Sequence, residues 1–359
     1  MFCIARCSLA CVDCGQASRK RRSERSAGNR AQASLNPLLL RGRSADAPRL
    51  RKLRPGGRMQ PIAVSWRSTL MASVLSRYEI DVEDVEYLRH GAKPLLMRLF
   101  KPRGEGPFPI VVDVHGGAWT RGDRTDDTPI NDPLARSGVV VAALDFRQPP
   151  DAGHDGAPAD INYAIRWLKS RAGDWKARAD RIGVMGISSG GQQVMMGAFR
   201  HADPRYASIP LAGKAGIDAA VQCVILCWPV IDPLGRYEYA KGLKGTSKPG
   251  AELAERWIEA HEQYWGSEQA MADGAVARAL ERGEKGSMPP VIYLQGTADI
   301  AHPRPYLDNF VAAYRKAGGR VEQQFFEGVG EAFVKKDPKS AASIACIDKI
   351  VEFVHRELD

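Results

Sequence analysis

The stretch RIGVMGISSGG, residues 181–191, decides the fold of this chain. Its first half is a short, mostly apolar run that is typical of a buried strand, and its second half is a glycine-rich turn before a helical pattern that reaches Phe199. Residues 186–190 read G-x-S-x-G. A sharp strand-to-helix turn of this kind lifts a serine hydroxyl out of the sheet, and the glycines prevent clashes there. The position of the motif predicts that Ser188 is a nucleophile; a plain glycine-rich turn is the alternative.

Strand-like and helix-like segments alternate on both sides of this stretch. Strand patterns occur at residues 110–114, 139–144, 221–228, 291–295 and 321–326. Two further runs, at residues 78–88 and 94–100, have the pattern of edge strands. Continuous apolar strands that alternate with amphipathic helices are typical of a mainly parallel sheet covered on both faces. The chain is therefore predicted to have an α/β fold.

Residues 230–287 interrupt the alternation, because they separate two strands by far more than an ordinary connection. They contain a helical pattern that carries Trp257, Tyr264 and Trp265. An insertion at this place in an α/β enzyme is expected to form a helical cap or lid. The alternative is an extra pair of helices whose aromatic side chains pack on the body of the protein.

Positive charge is concentrated in the first 58 residues, which hold 14 Lys and Arg against 3 Asp and Glu. The remaining 301 residues hold 37 basic and 39 acidic side chains, a net charge of −2, so the folded part gives no reason to expect a nucleic-acid partner. Residues 1–58 lack periodicity and are expected to be a disordered basic extension before one domain at 59–359. A transit peptide and a tail that binds a polyanion are the alternatives.

Cysteine usage and known motifs limit the other possibilities. Cys3, Cys7, Cys11 and Cys14 could together bind zinc, but no second paired motif supports a metal site, and none is predicted. The other three cysteines, at positions 223, 227 and 346, lie in apolar segments and are expected to be buried thiols in a reducing, cytoplasmic compartment. No phosphate-binding or dinucleotide fingerprint occurs, so no cofactor is expected. No stretch approaches the length of a membrane span.

Two more motifs follow predicted strands. His115 begins the string HGGAW directly after the strand at 110–114, and the backbone N–H groups of Gly116 and Gly117, with that of Ser189, could stabilise an oxyanion. The string GTAD, residues 296–299, follows the strand at 291–295. A carboxylate at the end of a parallel strand suits the acid of a catalytic triad, although Asp299 could instead cap a helix.

The order oxyanion loop, serine, acid resembles the α/β-hydrolase superfamily. The strings HGGAW, GISSGG and GTAD, with DFR at residues 145–147, look most like its hormone-sensitive-lipase and acetyl-esterase branch. This resemblance covers roughly residues 78–358. It implies an eight-stranded sheet with a helical cap and a carboxylic-ester hydrolase that needs no cofactor. It also implies Ser188 as nucleophile, Asp299 as acid and Gly116 and Gly117 as oxyanion glycines.

The sequence departs from the family pattern at the base. The family has a histidine after the last strand, in a G-x-x-H-x-F string, whereas this chain has Glu331 between Gly328 and Phe333. We expect Glu331 to act as an atypical base together with Asp299, because a carboxylate can accept a serine proton. Two histidines on the same edge of the sheet, His302 above all and also His154, are the alternative bases.

Three classes of function follow from this pattern. The first is a serine hydrolase that acts on small carboxylic esters through an acyl-enzyme at Ser188. The second is a catalytically silent hydrolase-fold protein that binds a ligand. The third is a hydrolase-fold enzyme with another reaction, such as a lyase. The intact serine and oxyanion loop favour the first class. The sequence does not indicate the oligomeric state or the acyl chain that the site accepts.

Overall fold

A computed structural model describes residues 77–359, and the predictions for residues 1–58, including the zinc alternative, lie outside this range. The described chain forms one sheet of eight strands. Their bounds, β1 to β8, are Ile80–His90, Lys93–Pro102, Phe108–Val114, Val140–Leu144, Ala177–Ile187, Cys223–Cys227, Val291–Gly296 and Val321–Phe326.

The strand order is β1-β2-β4-β3-β5-β6-β7-β8. Strand β1 pairs antiparallel with β2, and β2 pairs antiparallel with β4. All other neighbours, from β4 through β3 to β8, are parallel. Strands β3, β4, β6 and β7 are buried along their whole length, which explains why they appear in the sequence as continuous apolar runs. Because β3, β5 and β7 run parallel, the loops that follow them meet at one edge of the sheet.

Helices cover both faces of the sheet. Their bounds, α1 to α10, are Thr128–Arg136, Gly156–Arg171, Ser189–Phe199, Pro233–Leu243, Ala254–Trp265, Glu268–Asp273, Val276–Glu281, Arg304–Lys316, Phe333–Lys336 and Ala341–Leu358. Helices α1 and α10 pack on one face, in a core that contains Leu134, Ile225 and Ile350. Helices α2, α3 and α8 pack on the other, in a core that contains Leu168, Leu226 and Phe310. The predicted α/β architecture with an eight-stranded, mainly parallel sheet is confirmed.

The segment 230–287 is helical and holds α4 to α7. The aromatic side chains of Trp257, Tyr264 and Trp265 are buried and belong to the larger hydrophobic core. The indole of Trp119 stacks on the Tyr264 ring at 5.5 Å and meets Trp265 edge-on at 5.6 Å. Packed aromatic rings therefore join the helices of this segment to the loop after β3, which carries Trp119.

No helix within residues 77–359 has the length and apolar character needed to cross a bilayer. Cys223, Cys227 and Cys346 are all buried free thiols, as their apolar surroundings in the sequence predict.

Candidate active site

The loop between β5 and α3 presents Ser188 in a constrained turn. Its φ angle is +52°, a left-handed conformation that costs a residue with a side chain about 1–3 kcal/mol. The Ser188 N–H donates to the Cys227 carbonyl at 3.0 Å, and the Ser188 carbonyl accepts from the Val230 N–H at 2.9 Å. A Cβ at Gly190 would lie 2.0 Å from the Val114 carbonyl oxygen, so only glycine fits there. The turn is thus held by the neighbouring strands, and Ser188 is 8% exposed.

A histidine stands between this serine and a carboxylate. The His302 Nδ1–H donates to Asp299 Oδ2 at 2.8 Å, and His302 Nε2 lies 3.4 Å from Ser188 Oγ. The other carboxylate oxygen, Asp299 Oδ1, accepts from the N–H groups of Ala301 at 2.8 Å and His302 at 3.2 Å. The tight turn after β7 therefore brings the His302 ring back over the carboxylate three residues earlier.

Burial alone would raise the pKa of the Asp299 carboxyl. The adjacent His302 imidazole and the N–H groups of Ala301 and His302 outweigh this, so the pKa of Asp299 lies below its ordinary value. An ionised carboxylate at this position fixes the proton of His302 on Nδ1. That tautomer leaves Nε2 unprotonated and able to accept the hydroxyl proton of Ser188.

Glu331, on the loop after β8, also reaches the serine. The Ser188 hydroxyl donates to Glu331 Oε1 at 3.2 Å, and the same oxygen lies 3.9 Å from His302 Nε2. The Lys336 ammonium donates to the backbone carbonyl of Glu331 at 2.9 Å. The Glu331 side chain is 36% exposed, so it lies at the solvent side of the site while His302 is buried.

The expected partnership of Glu331 with Asp299 does not occur among the described residues. The Asp299 carboxylate accepts hydrogen bonds from His302, from two backbone N–H groups and from Gln295 Nε2. Glu331 contacts Ser188 from the opposite loop instead. The carboxylate that the sequence analysis assigns as the orienting acid therefore contacts His302, which is one of the alternative bases. The other alternative, His154, stacks on Trp265 at 5.6 Å and makes no hydrogen bond to Ser188.

The loop after β3 carries the predicted oxyanion donors and lies against the serine. A Cβ at Gly116 would lie 3.1 Å from Ser188 Cβ, and Gly117 has a φ angle of +107° that favours glycine. The Trp119 N–H donates to Ser189 Oγ at 3.1 Å, which ties this loop to the start of α3. Gly116 thus lies against Ser188, and the loop that carries Gly116 and Gly117 is tied to Ser189 through Trp119.

Two buried polar residues of the site escaped the sequence analysis. Gln295, at the end of β7, donates from Nε2 to the His302 carbonyl at 2.7 Å and to Asp299 Oδ2 at 3.3 Å. Arg236, on α4, donates from Nε to the Ala301 carbonyl at 3.0 Å. Gln295 is a polar residue in an otherwise apolar strand, and no hydrogen-bond partner lies near it in the sequence. This contrast could have indicated that Gln295 belongs to the site. Arg236 lies on a surface-like helical pattern that gave no such signal.

Within residues 77–359, no group of three or more His, Cys, Asp and Glu side chains is arranged to hold a metal ion. A serine hydroxyl, an imidazole oriented by a carboxylate and a loop rich in backbone N–H groups form the arrangement used for acyl transfer.

The sheet order, the strand-to-helix turn at Ser188 and the meeting of three loops at one edge define an α/β-hydrolase. Residues 97–303, more than half of the chain, match the BD-FAE family. The chain therefore belongs to the BD-FAE family. The resemblance of the sequence to α/β-hydrolase esterases is thereby confirmed at the level of the superfamily.

Curated relatives carry esterase names. The chain is 24% identical to esterase LipC of Mycobacterium tuberculosis over 260 residues, which are 70% of this chain and 59% of LipC. It is 24% identical to the carboxylic ester hydrolase LipN of the same organism over 284 residues, 78% of this chain and 71% of LipN. The match thus spans about three fifths of LipC.

Solved structures of similar fold include the carboxylesterase EstE1 from a metagenomic library. It superposes with a TM-score of 0.62 at 23% identity and covers 82% of this chain and 94% of its own. An esterase from the archaeon Pyrobaculum calidifontis superposes with a TM-score of 0.61 at 21% identity, over 82% of this chain and 92% of its own. These likenesses confirm the α/β-hydrolase fold.

Proposed function

We propose that this protein is a carboxylic-ester hydrolase that acts through an acyl-enzyme on Ser188, with His302 as its base and Asp299 as the residue that orients the base. The observation that supports this most directly is the continuous contact from Asp299 Oδ2 to His302 Nδ1, at 2.8 Å, and from His302 Nε2 to Ser188 Oγ, at 3.4 Å. The esterase names of the relatives favour the same class of reaction.

The reaction proceeds in two halves. Ser188 Oγ attacks the ester carbonyl carbon while His302 Nε2 takes the hydroxyl proton, and the carbonyl oxygen becomes an oxyanion stabilised by the N–H groups of Gly116, Gly117 and Ser189. The intermediate expels the alcohol, which receives the proton from His302. Water then attacks the acyl-enzyme as His302 accepts its proton, and collapse releases the carboxylic acid and restores Ser188.

Asp299 acts on the base rather than on the substrate. Its ionised carboxylate lies against the Nδ1–H edge of His302 and stabilises the imidazolium that forms in each half-reaction. Its lowered pKa keeps this carboxylate charged over the range in which an imidazole is neutral and able to act as a base.

Glu331 is the competing base, because its Oε1 lies 3.2 Å from Ser188 Oγ. In our proposal Glu331 accepts the hydroxyl hydrogen bond in the resting enzyme, and the proton passes to His302 when substrate is attacked. The sequence-based assignment of Glu331 as the base lacks the orienting contact to Asp299 on which it depended.

The test is the rate of 4-nitrophenyl butyrate hydrolysis against pH for the wild type, Ser188→Ala, His302→Ala and Glu331→Gln. We expect Ser188→Ala and His302→Ala to lose at least about 10³-fold in kcat, and Glu331→Gln to keep activity within about tenfold. With an imidazole base the hydrolysis rate falls as the pH drops through about 6 to 7. With a carboxylate base the rate falls only near pH 4 to 5.

Two outcomes would overturn parts of this assignment. Loss of activity in Glu331→Gln with retention in His302→Ala would make Glu331 the base. Failure of the wild type to hydrolyse any ester and to react with a fluorophosphonate at any pH would favour a silent binding protein over a hydrolase.

A further inference from the structure

Three consecutive backbone carbonyls in the turn that carries the base each accept a hydrogen bond from a side chain. The pairs are Tyr239 Oη with the Ile300 carbonyl at 3.0 Å, Arg236 Nε with the Ala301 carbonyl at 3.0 Å and Gln295 Nε2 with the His302 carbonyl at 2.7 Å. Arg236 and Gln295 are 3% and 1% exposed, and Tyr239 is half-buried. We call Tyr239, Arg236 and Gln295 the turn clamp. A run of carbonyls that all meet side-chain donors leaves the turn little freedom to move.

The turn held by the clamp determines where the imidazole lies. Asp299 Oδ1 accepts from the N–H groups of Ala301 and His302 in this turn, and Asp299 Oδ2 accepts from the His302 ring. The opposite edge of the same ring lies 3.4 Å from Ser188 Oγ. A shift of the turn would therefore move the imidazole relative to its orienting carboxylate and relative to the serine.

Two residues of the clamp belong to the inserted segment, because Tyr239 and Arg236 lie on α4. The same segment also contacts the nucleophile. The Val230 N–H, just before α4, donates to the Ser188 carbonyl at 2.9 Å, and the Asp232 side chain then caps the start of the helix. One continuous stretch of chain thus holds the serine turn at its beginning and the base turn one helical turn further on.

We propose that the turn clamp positions the catalytic base, so that the inserted segment, through α4, sets the distance between His302 and Ser188. Tyr239, Arg236 and Gln295 act through the backbone of the turn rather than on substrate, and they are therefore positioning residues. This inference rests on the proposed function and adds to it the residues that make His302 a working base. Proton transfer requires close alignment, and a misplacement of about 1 Å costs on the order of 10²-fold in rate.

The experiment removes one donor of the clamp at a time. Tyr239→Phe deletes only the hydroxyl group, whereas Arg236→Met and Gln295→Met delete the donating nitrogen and keep a long side chain. Tyr237→Phe is the matched control, because Tyr237 lies on the same helix but its hydroxyl donates to Glu262 at 2.8 Å instead of to the turn. The quantities measured are kcat and KM for 4-nitrophenyl butyrate.

We expect kcat to fall about tenfold or more in Arg236→Met and Gln295→Met and about threefold or more in Tyr239→Phe, with KM within about threefold of the wild type. Tyr237→Phe should keep the kcat of the wild type. The side chain of Tyr239 is half-buried and Tyr239→Phe removes a single atom, so this variant decides the test if the other two fail to fold.

A second background separates positioning from general damage to the fold. Each clamp substitution is combined with His302→Ala, and the residual rate is compared with that of His302→Ala alone. Because the clamp acts through His302, each substitution should lower the residual rate by less than about twofold. Damage to the rest of the site would lower the rate by the same factor in both backgrounds.

The proton on His302 Nδ1 provides a readout that needs no turnover. It bonds to Asp299 Oδ2 at 2.8 Å, and its ¹H NMR signal is identified by its absence in His302→Ala. We expect Arg236→Met and Gln295→Met to shift or broaden this signal and Tyr237→Phe to leave it unchanged. These changes would support the clamp even if the wild type hydrolysed no ester, in which case only the proposed function fails.

Two results would overturn the inference, and they differ in what else they overturn. If kcat were unchanged in all three clamp variants, or fell equally with and without His302, the clamp would not position the base, and the esterase assignment would stand. If His302→Ala kept the activity of the wild type, the proposed base would be wrong, and the role of the clamp would be wrong with it.

Discussion

At the scale of single residues, the hydroxyl group of Ser188 has one proton and two neighbouring acceptors. Glu331 Oε1 lies at 3.2 Å and His302 Nε2 at 3.4 Å, so distance alone does not select the base. The surroundings of the two acceptors do differ. His302 is buried and oriented by Asp299, whereas Glu331 is partly exposed and is held through its backbone carbonyl by Lys336. A base must be fixed in one orientation, which favours His302.

Replacement of the orienting carboxylate provides the first residue-scale prediction. Asp299→Asn should lower kcat about 10³- to 10⁴-fold, because an amide neither stabilises an imidazolium nor holds the Nδ1–H tautomer. KM should change little, since Asp299 acts through His302 rather than on substrate. The measurement is steady-state hydrolysis of 4-nitrophenyl butyrate, with Asp308→Asn on the exposed face of α8 as control. A loss below tenfold in Asp299→Asn would show that His302 is not the working base.

The buried arginine provides the second residue-scale prediction. The pKa of Arg236 is lowered to about 10, mainly by burial, so below that pH its charge opposes folding, and this cost is relieved as the pH rises through 10. Arg236→Met should therefore leave the free energy of unfolding at pH 7 unchanged or raise it by up to about 2 kcal/mol. Urea denaturation measures this change. A loss above about 2 kcal/mol would show that the Arg236 contacts with the Ala301 carbonyl and the Trp257 ring outweigh the cost of burying its charge.

Sequence reasoning could nominate candidate residues whose motifs are local, but it could not predict contacts between distant parts of the chain. Ser188 and Asp299 follow strands directly, and the glycines of the oxyanion loop are adjacent in the chain, so spacing alone indicated them. The contact between Asp299 and His302 depends on a turn of three residues that no periodicity encodes. The preference for Glu331 came from the position of the base in related enzymes. Only the folded chain reveals that Gln295 and Arg236 hold the segment that carries His302.

At the scale of secondary-structure elements, α5 connects the inserted segment to the oxyanion loop. Tyr264 and Trp265 pack on Trp119, and His261 meets the same indole ring edge-on at 4.9 Å. The sequence predicted a helix here from its apolar period, but it left open whether the aromatic side chains line a lid or pack on the body. Their near-complete burial in the larger core supports packing on the body.

His261 makes the attachment of α5 sensitive to acid. Burial, with repulsion from Arg236, lowers its pKa to about 3, although its hydrogen bond to the Trp257 carbonyl acts in the opposite direction. The unfolded chain, with an ordinary pKa near 6.5, binds this proton first. The neutral imidazole therefore contributes stability that is fully present above pH 6.5 and is lost as the pH falls toward 3.

The corresponding element-scale prediction concerns the loss of stability between pH 7 and pH 5. This single group should account for about 2 kcal/mol of that loss. His261→Phe keeps an aromatic ring in the site and removes the titration, so its unfolding free energy should fall by about 2 kcal/mol less than that of the wild type over this range. His154→Gln, which changes a half-exposed ring, is the control. If the unfolding free energies of His261→Phe and wild type changed equally between pH 7 and pH 5, the buried, neutral state of His261 would be contradicted.

At the scale of the whole molecule, the sheet separates two hydrophobic layers that the sequence alone could not tell apart. Adjacent residues on a strand point to opposite faces, so a continuous apolar run such as β6 supplies both layers at once. Ile225 contributes to the layer under α1 and α10, and Leu226 contributes to the layer under α2, α3 and α8. Both side chains are fully buried.

This division predicts that the losses of unfolding free energy caused by core substitutions on opposite faces are additive. Ile225→Val should lower the free energy of unfolding by about 1 kcal/mol and Leu226→Ala by about 3 kcal/mol, because each leaves a cavity in a packed layer. The double variant should lose about 4 kcal/mol, within about 0.5 kcal/mol of the sum, since the two side chains belong to separate hydrophobic clusters on opposite faces of the sheet. Urea denaturation of the three variants measures the coupling. A coupling free energy above about 1 kcal/mol would mean that strain is transmitted across β6. Because the Ser188 N–H bonds to the Cys227 carbonyl at the end of that strand, the serine turn would then respond to packing on both faces.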